Sequence, residues 1–146
     1  MSDRVLRVVA VVLAAGGAAV MAYLLYVRHA GGAPICAGDG CAAVQQSRYA
    51  EIFGVPVAAL GLAGFAAIGA ASAVADPRGG TVQAFLVLSA LGFSAYLLVV
   101  QLAVIGAVCE WCVFGDVLLA LLAAVVLLRL RERRPGGLSP PGRASV

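Results

Sequence analysis

The residues of this chain best suited to chemistry are two closely spaced pairs of cysteines, which are its only cysteines. Cys36 and Cys41 stand in the polar segment ICAGDGCAAV, and Cys109 and Cys112 stand in CEWC, between two long apolar runs. Thiols exchange with disulfides through mixed disulfides, so two pairs that face the same side of a membrane can pass a disulfide from one to the other. The elements that position the pairs therefore decide what they can do.

The composition is that of an integral membrane protein. Of the 146 residues, 63% are hydrophobic and 12% are charged, with a mean hydropathy of +1.04. Soluble domains are nearer to about half apolar and a quarter charged. All ten basic residues are arginines, and the net charge of +3 gives no indication of a nucleic-acid partner. The length allows one compact bundle.

Four apolar runs are long enough to cross a membrane, since about 20 residues at about 1.5 Å per residue span the ~30 Å hydrocarbon core. They predict an all-α integral membrane four-helix bundle with helices at about 5–27, 55–75, 81–108 and 109–130. Pro56 is expected in the first turn of the second helix, and Asp76–Gly80 in a tight turn. Residues 1–130 thus form the predicted core, and 131–146 a basic, disordered tail.

The arginines predict the orientation, because cytoplasmic segments carry an excess of basic residues. With the N-terminus inside, eight arginines are cytoplasmic and only Arg28 and Arg48 lie outside. Both termini are then cytoplasmic, and all four cysteines face the outside, where disulfides persist. The extracytoplasmic loop between the first two helices, residues 28–54, carries the first pair. A cleaved signal peptide at 1–27 is disfavoured, because the apolar run exceeds the roughly 7–15 residues usual for one.

Several arginines stand at the end of the last apolar run or just after it. Arg129, Arg131, Arg133 and Arg134 are expected to anchor the fourth helix at the inner leaflet, where anionic lipids attract basic side chains. This role would be structural and not catalytic.

CEWC stands where reactive thiols are expected. It opens the fourth helix, and the unpaired N–H groups and the dipole of a helix N-terminus stabilise a thiolate, the attacking species in disulfide exchange. Cys109 is expected nearer the water, and Cys112 about one turn deeper, facing the bilayer. Inert structural disulfides are credible for Cys36–Cys41 but less so for CEWC, because so short a loop constrains little unfolded-chain entropy.

Three other interpretations stay open. Four thiolates could bind zinc, although they would have to stay reduced outside the cell. A small carrier of mercuric or similar soft ions would need thiols on the cytoplasmic side, where none is predicted. A non-catalytic membrane subunit with structural disulfides would not exchange them. The single histidine, His29, is expected to be solvated at the interface.

The connection from the first cysteine pair to the second helix allows two interpretations. Val44, Tyr49, Ile52 and Phe53 could form one side of a short interfacial helix that ends at Gly54. Alternatively, the connection is a polar segment with no fixed position.

Taken together, these features resemble the vitamin K epoxide reductase family in its bacterial form, over about residues 5–130. The resemblance rests on the loop cysteine pair, Ser47 and Tyr49, Phe53-Gly54-Val55-Pro56, Gly61, and Cys109-x-x-Cys112 at the start of the fourth helix. The loop spacing, C-x4-C, is shorter than is usual in the family.

The resemblance implies a quinone-dependent disulfide oxidoreductase. Family members fold as a four-helix bundle around a quinone, of the ubiquinone or menaquinone (vitamin K) type, and they oxidise a thioredoxin-like partner. By resemblance, Cys36 faces the partner, Cys41 exchanges with Cys109, and Cys112 faces the quinone. The partner is expected to be a separate extracytoplasmic protein, since no thioredoxin-like domain follows the fourth helix. The expected location is the bacterial cytoplasmic (inner) membrane.

Further side chains are candidates for contact with the quinone: Gln101, Trp111, Phe114 and Asp116. Asp116 follows Cys112 by four residues and shares its helix face, and ionisable residues in membranes are functional candidates by default. The resemblance, through a tyrosine of vertebrate members at the matching position, implies that Asp116 donates a hydrogen bond or a proton to the quinone. Otherwise Asp116 is satisfied by Gln101, a backbone group or water. Ser47 is a supporting residue.

Overall fold

The structure is a computed structural model, which describes residues 2–74 and 79–132. The turn expected at Asp76–Gly80 lies largely outside these ranges, and the tail from residue 133 onward lies outside them entirely. The helices are α1 (Asp3–His29), α2 (Gly40–Gln45), α3 (Val57–Ala73), α4 (Gly79–Val99) and α5 (Glu110–Glu132). Three of them are long and apolar enough to cross a membrane, and α3 is a shorter apolar helix of 17 residues. The predicted all-α membrane helical bundle is confirmed.

The end of the third long helix differs from its predicted bound of residue 108. After Val99 the chain continues as a π-helical turn, Val100–Ile105, and Gly106 then adopts a left-handed conformation with φ 68°. Glycine takes this conformation at no steric cost and commonly ends helices. Residues 106–109 are therefore a non-helical connector, and α5 begins at Glu110.

The connection from the first cysteine pair to α3 is not one interfacial helix that ends at Gly54, so that interpretation is wrong. Between α2 and α3 lie a 3-10 turn and a short antiparallel hairpin, at Arg48–Ala50, β1 (Glu51–Ile52) and β2 (Val55–Pro56). The hairpin turn consists of Phe53 and Gly54, which both have positive φ, 51° and 80°. Such φ values are typical of the tight turns that join hairpin strands. Pro56 consequently ends the hairpin, one residue before α3.

The long helices do not pack equally closely. α1 packs most extensively against α3 and α5, and α4 contacts α5 more extensively than it contacts α3. α3 packs closely on α1 at Gly17, where a Cβ atom would overlap the ring of Phe65. Among these interfaces the one between α3 and α4 is the smallest, so the bundle is least tightly closed on that side.

The end of the bundle away from the cysteines is tied together by a buried arginine. Arg129 of α5 is 1% exposed, its Nε donates to Asp3 Oδ1 at 2.9 Å, and its Nη1 donates to the Ser72 carbonyl at 3.1 Å. Gln83 of α4 donates to Ser72 Oγ at 2.6 Å. Residues of all four apolar helices, α1, α3, α4 and α5, therefore meet here. The expectation that Arg129 binds lipid headgroups is wrong, because its charge is buried and paired within the protein.

Candidate active site: two cysteine pairs at one end of the bundle

All four cysteines lie together at one end of the bundle. Cys36 and Cys41 form a disulfide, with Cα atoms 6.3 Å apart, while Cys109 and Cys112 are free thiols. Cys41, Val44 and Cys109 form one buried cluster, against which Cys36 and Cys112 are packed. The two pairs that were predicted to exchange are therefore neighbours.

A close approach of two backbones brings Cys41 to Cys109. Gly40, the first residue of α2, lies so near Val108 that a Cβ atom on it would overlap the Val108 carbonyl oxygen. Because glycine alone lacks a Cβ, it alone permits this approach. Each of the two touching residues directly precedes a cysteine, so Gly40 sets the distance between the segments that carry Cys41 and Cys109.

The two sulfurs of the loop disulfide differ in their access to solvent. Cys41 is 1% exposed, whereas Cys36 is half-buried. Of the two sulfurs, that of Cys36 is therefore the more open to attack by another thiol. Attack there would release the sulfur of Cys41, which is already packed beside Cys109.

Within CEWC, the two cysteines differ in exposure. Cys109 is fully buried, and Cys112 is partly exposed. Cys109 belongs to the connector, which α2 covers, so its burial comes from the loop. That Cys109 lies nearer the water than Cys112 stays a prediction. Cys112 stands in the first turn of α5 and lines a cavity inside the bundle.

Hydrogen bonds favour the thiolate of Cys109, which precedes α5. The backbone N–H of Cys112 donates to Cys109 Sγ at 3.3 Å. The pKa of Cys109 is lowered from 9.0 to about 7, chiefly by the hydrogen bond from the Cys112 side chain. Burial opposes this shift, whereas hydrogen bonds from backbone N–H groups and from the Gln45 side chain support it. A substantial fraction of Cys109 is therefore thiolate at neutral pH, which suits it to disulfide exchange.

We expect Cys109 to ionise with a midpoint near pH 7, so that its thiolate is lost as the pH falls through that value. Cys112→Ala removes the side-chain hydrogen bond and should raise the midpoint toward 9.0. Cys112→Ser keeps a hydroxyl donor and should raise it less. The ultraviolet absorbance of the thiolate, followed against pH, measures the midpoint in proteins in which serines replace both loop cysteines, so that Cys109 cannot bond to Cys41. A midpoint that stays near 7 in Cys112→Ala would contradict this account.

Gln101 holds the connector that carries Cys109. It lies in the π-helical turn, is 4% exposed, and its Oε1 accepts the Cys109 N–H at 2.9 Å. Its carbonyl accepts the Ala107 N–H at 3.2 Å. Gln101 therefore holds the backbone of the connector at two positions, Ala107 and Cys109, a role that sequence reasoning missed. It also lines the cavity beside Cys112.

Two adjoining cavities lie inside the bundle, and the smaller one reaches Cys112. The thiol cavity, of about 80 Å³, is lined among others by Cys112, Gln101 and Ser47. The lateral cavity, of about 320 Å³, lies between α3 and α4 and is mostly apolar. Both are lined by Met21 and Asp116, so they adjoin one another.

Asp116 lies where the two cavities meet. Its Oδ1 accepts a hydrogen bond from the hydroxyl of Ser94 in α4. The alternative partner expected from the sequence, Gln101, is bonded to Cys109 instead. No signal in the sequence singled out Ser94, because a serine within an apolar helix is common and its partner is on another helix.

Gln45 of α2 was also missed by sequence reasoning. Its Nε2 donates to Cys112 Sγ at 3.8 Å, which links the loop directly to the second thiol of CEWC. Ser47, predicted as a supporting residue, donates from Oγ to the Val44 carbonyl at 2.7 Å and so helps to end α2 beside the thiol cavity.

Trp111 and Phe114 line neither of these cavities. The Trp111 ring packs on Tyr23, with centroids 4.8 Å apart, and its Nε1 donates to the Ile35 carbonyl at 2.9 Å. Phe114 is 51% exposed on α5. The structure therefore does not bring these two side chains to the cavities beside Cys112, as their predicted contact with a quinone would require.

The fold and the site define a class of protein, a helical membrane bundle in which a loop disulfide packs against a thiol pair at the start of a helix. A model of the vitamin K epoxide reductase family matches residues 8–127. The chain belongs to this family, as its cysteine pattern predicted, and it is a membrane oxidoreductase.

Proposed function

We propose that the protein is a membrane thiol:quinone oxidoreductase that generates disulfides de novo. Electrons pass from a separate thioredoxin-like protein to Cys36 and Cys41, then to Cys109 and Cys112, and finally to a quinone. The observation that carries this proposal is the arrangement of the buried cluster. In it Cys41 and Cys109 are packed together, Cys36 is partly accessible, and Cys112 lines a cavity.

In the first half of the cycle the partner becomes oxidised. A thiolate of the partner attacks Cys36 Sγ, and the sulfur of Cys41 leaves as a thiolate. The second thiol of the partner then attacks the partner sulfur that is bound to Cys36. This releases Cys36 as a thiol, and the partner departs with a disulfide. Two electrons are now on the loop pair.

In the second half the electrons pass inward. The Cys41 thiolate attacks Cys109 of a Cys109–Cys112 disulfide, and Cys112 leaves as a thiolate. Cys36 then attacks Cys41, which restores the loop disulfide and frees Cys109. A quinone, when bound, supplies an acceptor for two electrons and two protons. Cys112 is the thiol that lines the cavity, so it is the one placed to deliver the electrons as its bond to Cys109 re-forms.

The cavities suit a lipid-soluble quinone. Pockets for small molecules are typically about 300–1,000 Å³, mostly apolar, with a few polar groups that fix the orientation. The lateral cavity, about 320 Å³, has this character, and Asp116 is a polar group at its junction with the thiol cavity. The lateral cavity lies along the least tightly closed interface, between α3 and α4, which favours entry from the lipid.

Asp116 is the proposed donor of a hydrogen bond or proton to the quinone. It stands four residues after Cys112, so the two side chains share one face of α5. Ser94 donates to its Oδ1, which orients the carboxyl group at the junction of the cavities.

The decisive experiment mixes the purified, fully reduced protein with a ubiquinone or menaquinone analogue in the absence of oxygen. The four thiols should reduce two quinones, one from each cysteine pair, which is followed by quinone absorbance. Asp116→Asn keeps the shape of the side chain but removes its transferable proton, so it should slow quinone reduction while the loop disulfide exchanges normally. Absence of quinone reduction by the reduced wild type would refute the proposed function. Unchanged kinetics in Asp116→Asn across pH would rule out the donor role alone.

The proposed location is the bacterial cytoplasmic membrane, with both termini inside and the cysteines outside, and the uneven distribution of the arginines supports it. The soft-metal carrier and the structural subunit are less well supported. Within residues 2–74 and 79–132 no group of three or more His, Cys, Asp or Glu side chains has a metal-binding arrangement. The packing of a disulfide against a free thiol pair favours exchange over a purely structural role.

A further inference from the structure

The residue before the accessible cysteine presents an apolar side chain from a fixed backbone. Ile35 is 86% exposed and directly precedes Cys36. Its carbonyl accepts the Trp111 Nε1–H at 2.9 Å, and its N–H donates to the Tyr23 hydroxyl at 3.4 Å. Two packed aromatic rings, one from α1 and one from α5, therefore hold the backbone of Ile35 from both sides.

This exposure differs from that of the apolar side chains on the long helices, which face the lipid of a membrane. Ile35 lies in the irregular segment that follows α1. Single exposed apolar side chains are common on proteins and need no explanation by themselves. What distinguishes Ile35 is that both of its backbone groups are bonded and that it adjoins the more accessible sulfur of the loop disulfide.

The surface next to Cys36 also carries negative charge. Glu110 Oε2 accepts the Ala37 N–H at 3.4 Å, and Asp39 is exposed two residues further on. Arg28, which precedes this segment, is paired with Glu51 of the hairpin. A partner that docks over Cys36 would therefore meet an apolar side chain beside two carboxylates, and charge complementarity favours a basic partner surface.

We propose that Ile35, Asp39 and Glu110 form the docking surface for the thioredoxin-like electron donor. The donor that fits has an apolar patch beside its reactive cysteine and basic residues around that patch. Trp111 and Tyr23 are positioning residues, which keep Ile35 in place for that contact. This inference rests on the proposed function, because it assumes that a protein thiol attacks Cys36.

The test compares two electron donors for quinone reduction by the full-length protein, reduced thioredoxin and dithiothreitol. Ile35→Asn should raise the KM for thioredoxin at least about five-fold, since a buried apolar anchor typically contributes that much to binding. The rate with dithiothreitol should stay unchanged, because a small dithiol needs no docking surface. Phe53→Asn is the matched control: it removes a fully exposed apolar side chain from the hairpin turn of the same loop and should change neither donor's kinetics.

Two further comparisons test the charge and the positioning. A thioredoxin with added lysines around its cysteine should have a lower KM than one with added glutamates, and Asp39→Lys should abolish that difference. Tyr23→Phe keeps the ring that packs on Trp111 but loses the hydroxyl that accepts the Ile35 N–H. It should raise the KM for thioredoxin and leave the kcat with dithiothreitol intact.

The outcomes separate the docking surface from the relay itself. An equal loss with both donors in Ile35→Asn would overturn the docking role. So would a loss confined to lipid bilayers and absent in detergent, which would mark Ile35 as a lipid contact. If the wild type reduced quinone with dithiothreitol but not with any thioredoxin variant, the docking surface would be refuted and the quinone chemistry retained. Failure with both donors would instead refute the proposed function.

Discussion

Cys112→Ser should reduce turnover to the background rate and cause a covalent Cys41–Cys109 bond to accumulate. Without the Cys112 thiol, CEWC cannot form its own disulfide, so it cannot release the two electrons that reduce a quinone. The Cys109 thiolate still attacks Cys41, its neighbour in the buried cluster, and no second thiol in CEWC competes for the resulting bond. Proteolysis under non-reducing conditions, followed by mass spectrometry, should identify the linked pair of peptides.

A second substitution sharpens this expectation. In Cys112→Ser, the freed Cys36 thiol can attack Cys41 and reverse the exchange. Adding Cys36→Ser removes that return path. The double variant has no loop disulfide, so its Cys41–Cys109 bond must form by oxidation of the two thiols. With oxidised glutathione as the oxidant, which is reduced to two glutathione thiols, that bond should form almost completely and persist. Accumulation of Cys36–Cys109 in the single variant would show that the two loop cysteines have the opposite roles, an outcome that the short C-x4-C spacing makes worth testing.

Gly40→Ala should slow exchange between the two cysteine pairs at least about ten-fold, because misplacing reacting atoms by about 1 Å can cost ~10²-fold in rate. The added Cβ would overlap the Val108 carbonyl oxygen, and a backbone atom cannot move aside as a flexible side chain can. Fully reduced protein should reduce quinone in two phases, first from CEWC and then from the loop pair through exchange. Only the second phase should slow in this variant.

The chain offers a matched control for this substitution. Gly38 lies in the same loop, and a Cβ atom added there would meet nothing within 4 Å. Gly38→Ala should therefore leave both phases unchanged. If Gly40→Ala also behaved like the wild type, the approach of α2 to the connector would not limit the exchange.

Local signals in the sequence were sufficient to predict the apolar helices and to single out the two cysteine pairs. Long apolar runs identify membrane helices by length alone, and C-x-x-C at the start of a helix indicates a thiol pair. The exposures of Cys109 and Cys112 could not be predicted in this way. They depend on α2 covering the connector, and that contact joins residues far apart in the sequence.

The same limit applies to the residues predicted to contact a quinone. The hydrogen-bond partner of Trp111 lies in a loop more than 70 residues earlier in the chain, which no local pattern indicates. Gln101 lines the cavity beside Cys112, but its bond to the Cys109 backbone depends on a π-helical turn that the sequence did not predict. Asp116 lines the same cavity as Cys112, because their spacing on one helix is a local property.

The buried arginine at the far end of the bundle has a consequence for biosynthesis. During synthesis Arg129 is added 126 residues after Asp3. Until then the Ser72 carbonyl lacks its guanidinium donor, so the helices inserted earlier cannot complete their packing at this end. A chain that stops before residue 129 would keep that gap. The contact that closes this end of the bundle therefore becomes available only after most of the last apolar helix has been made.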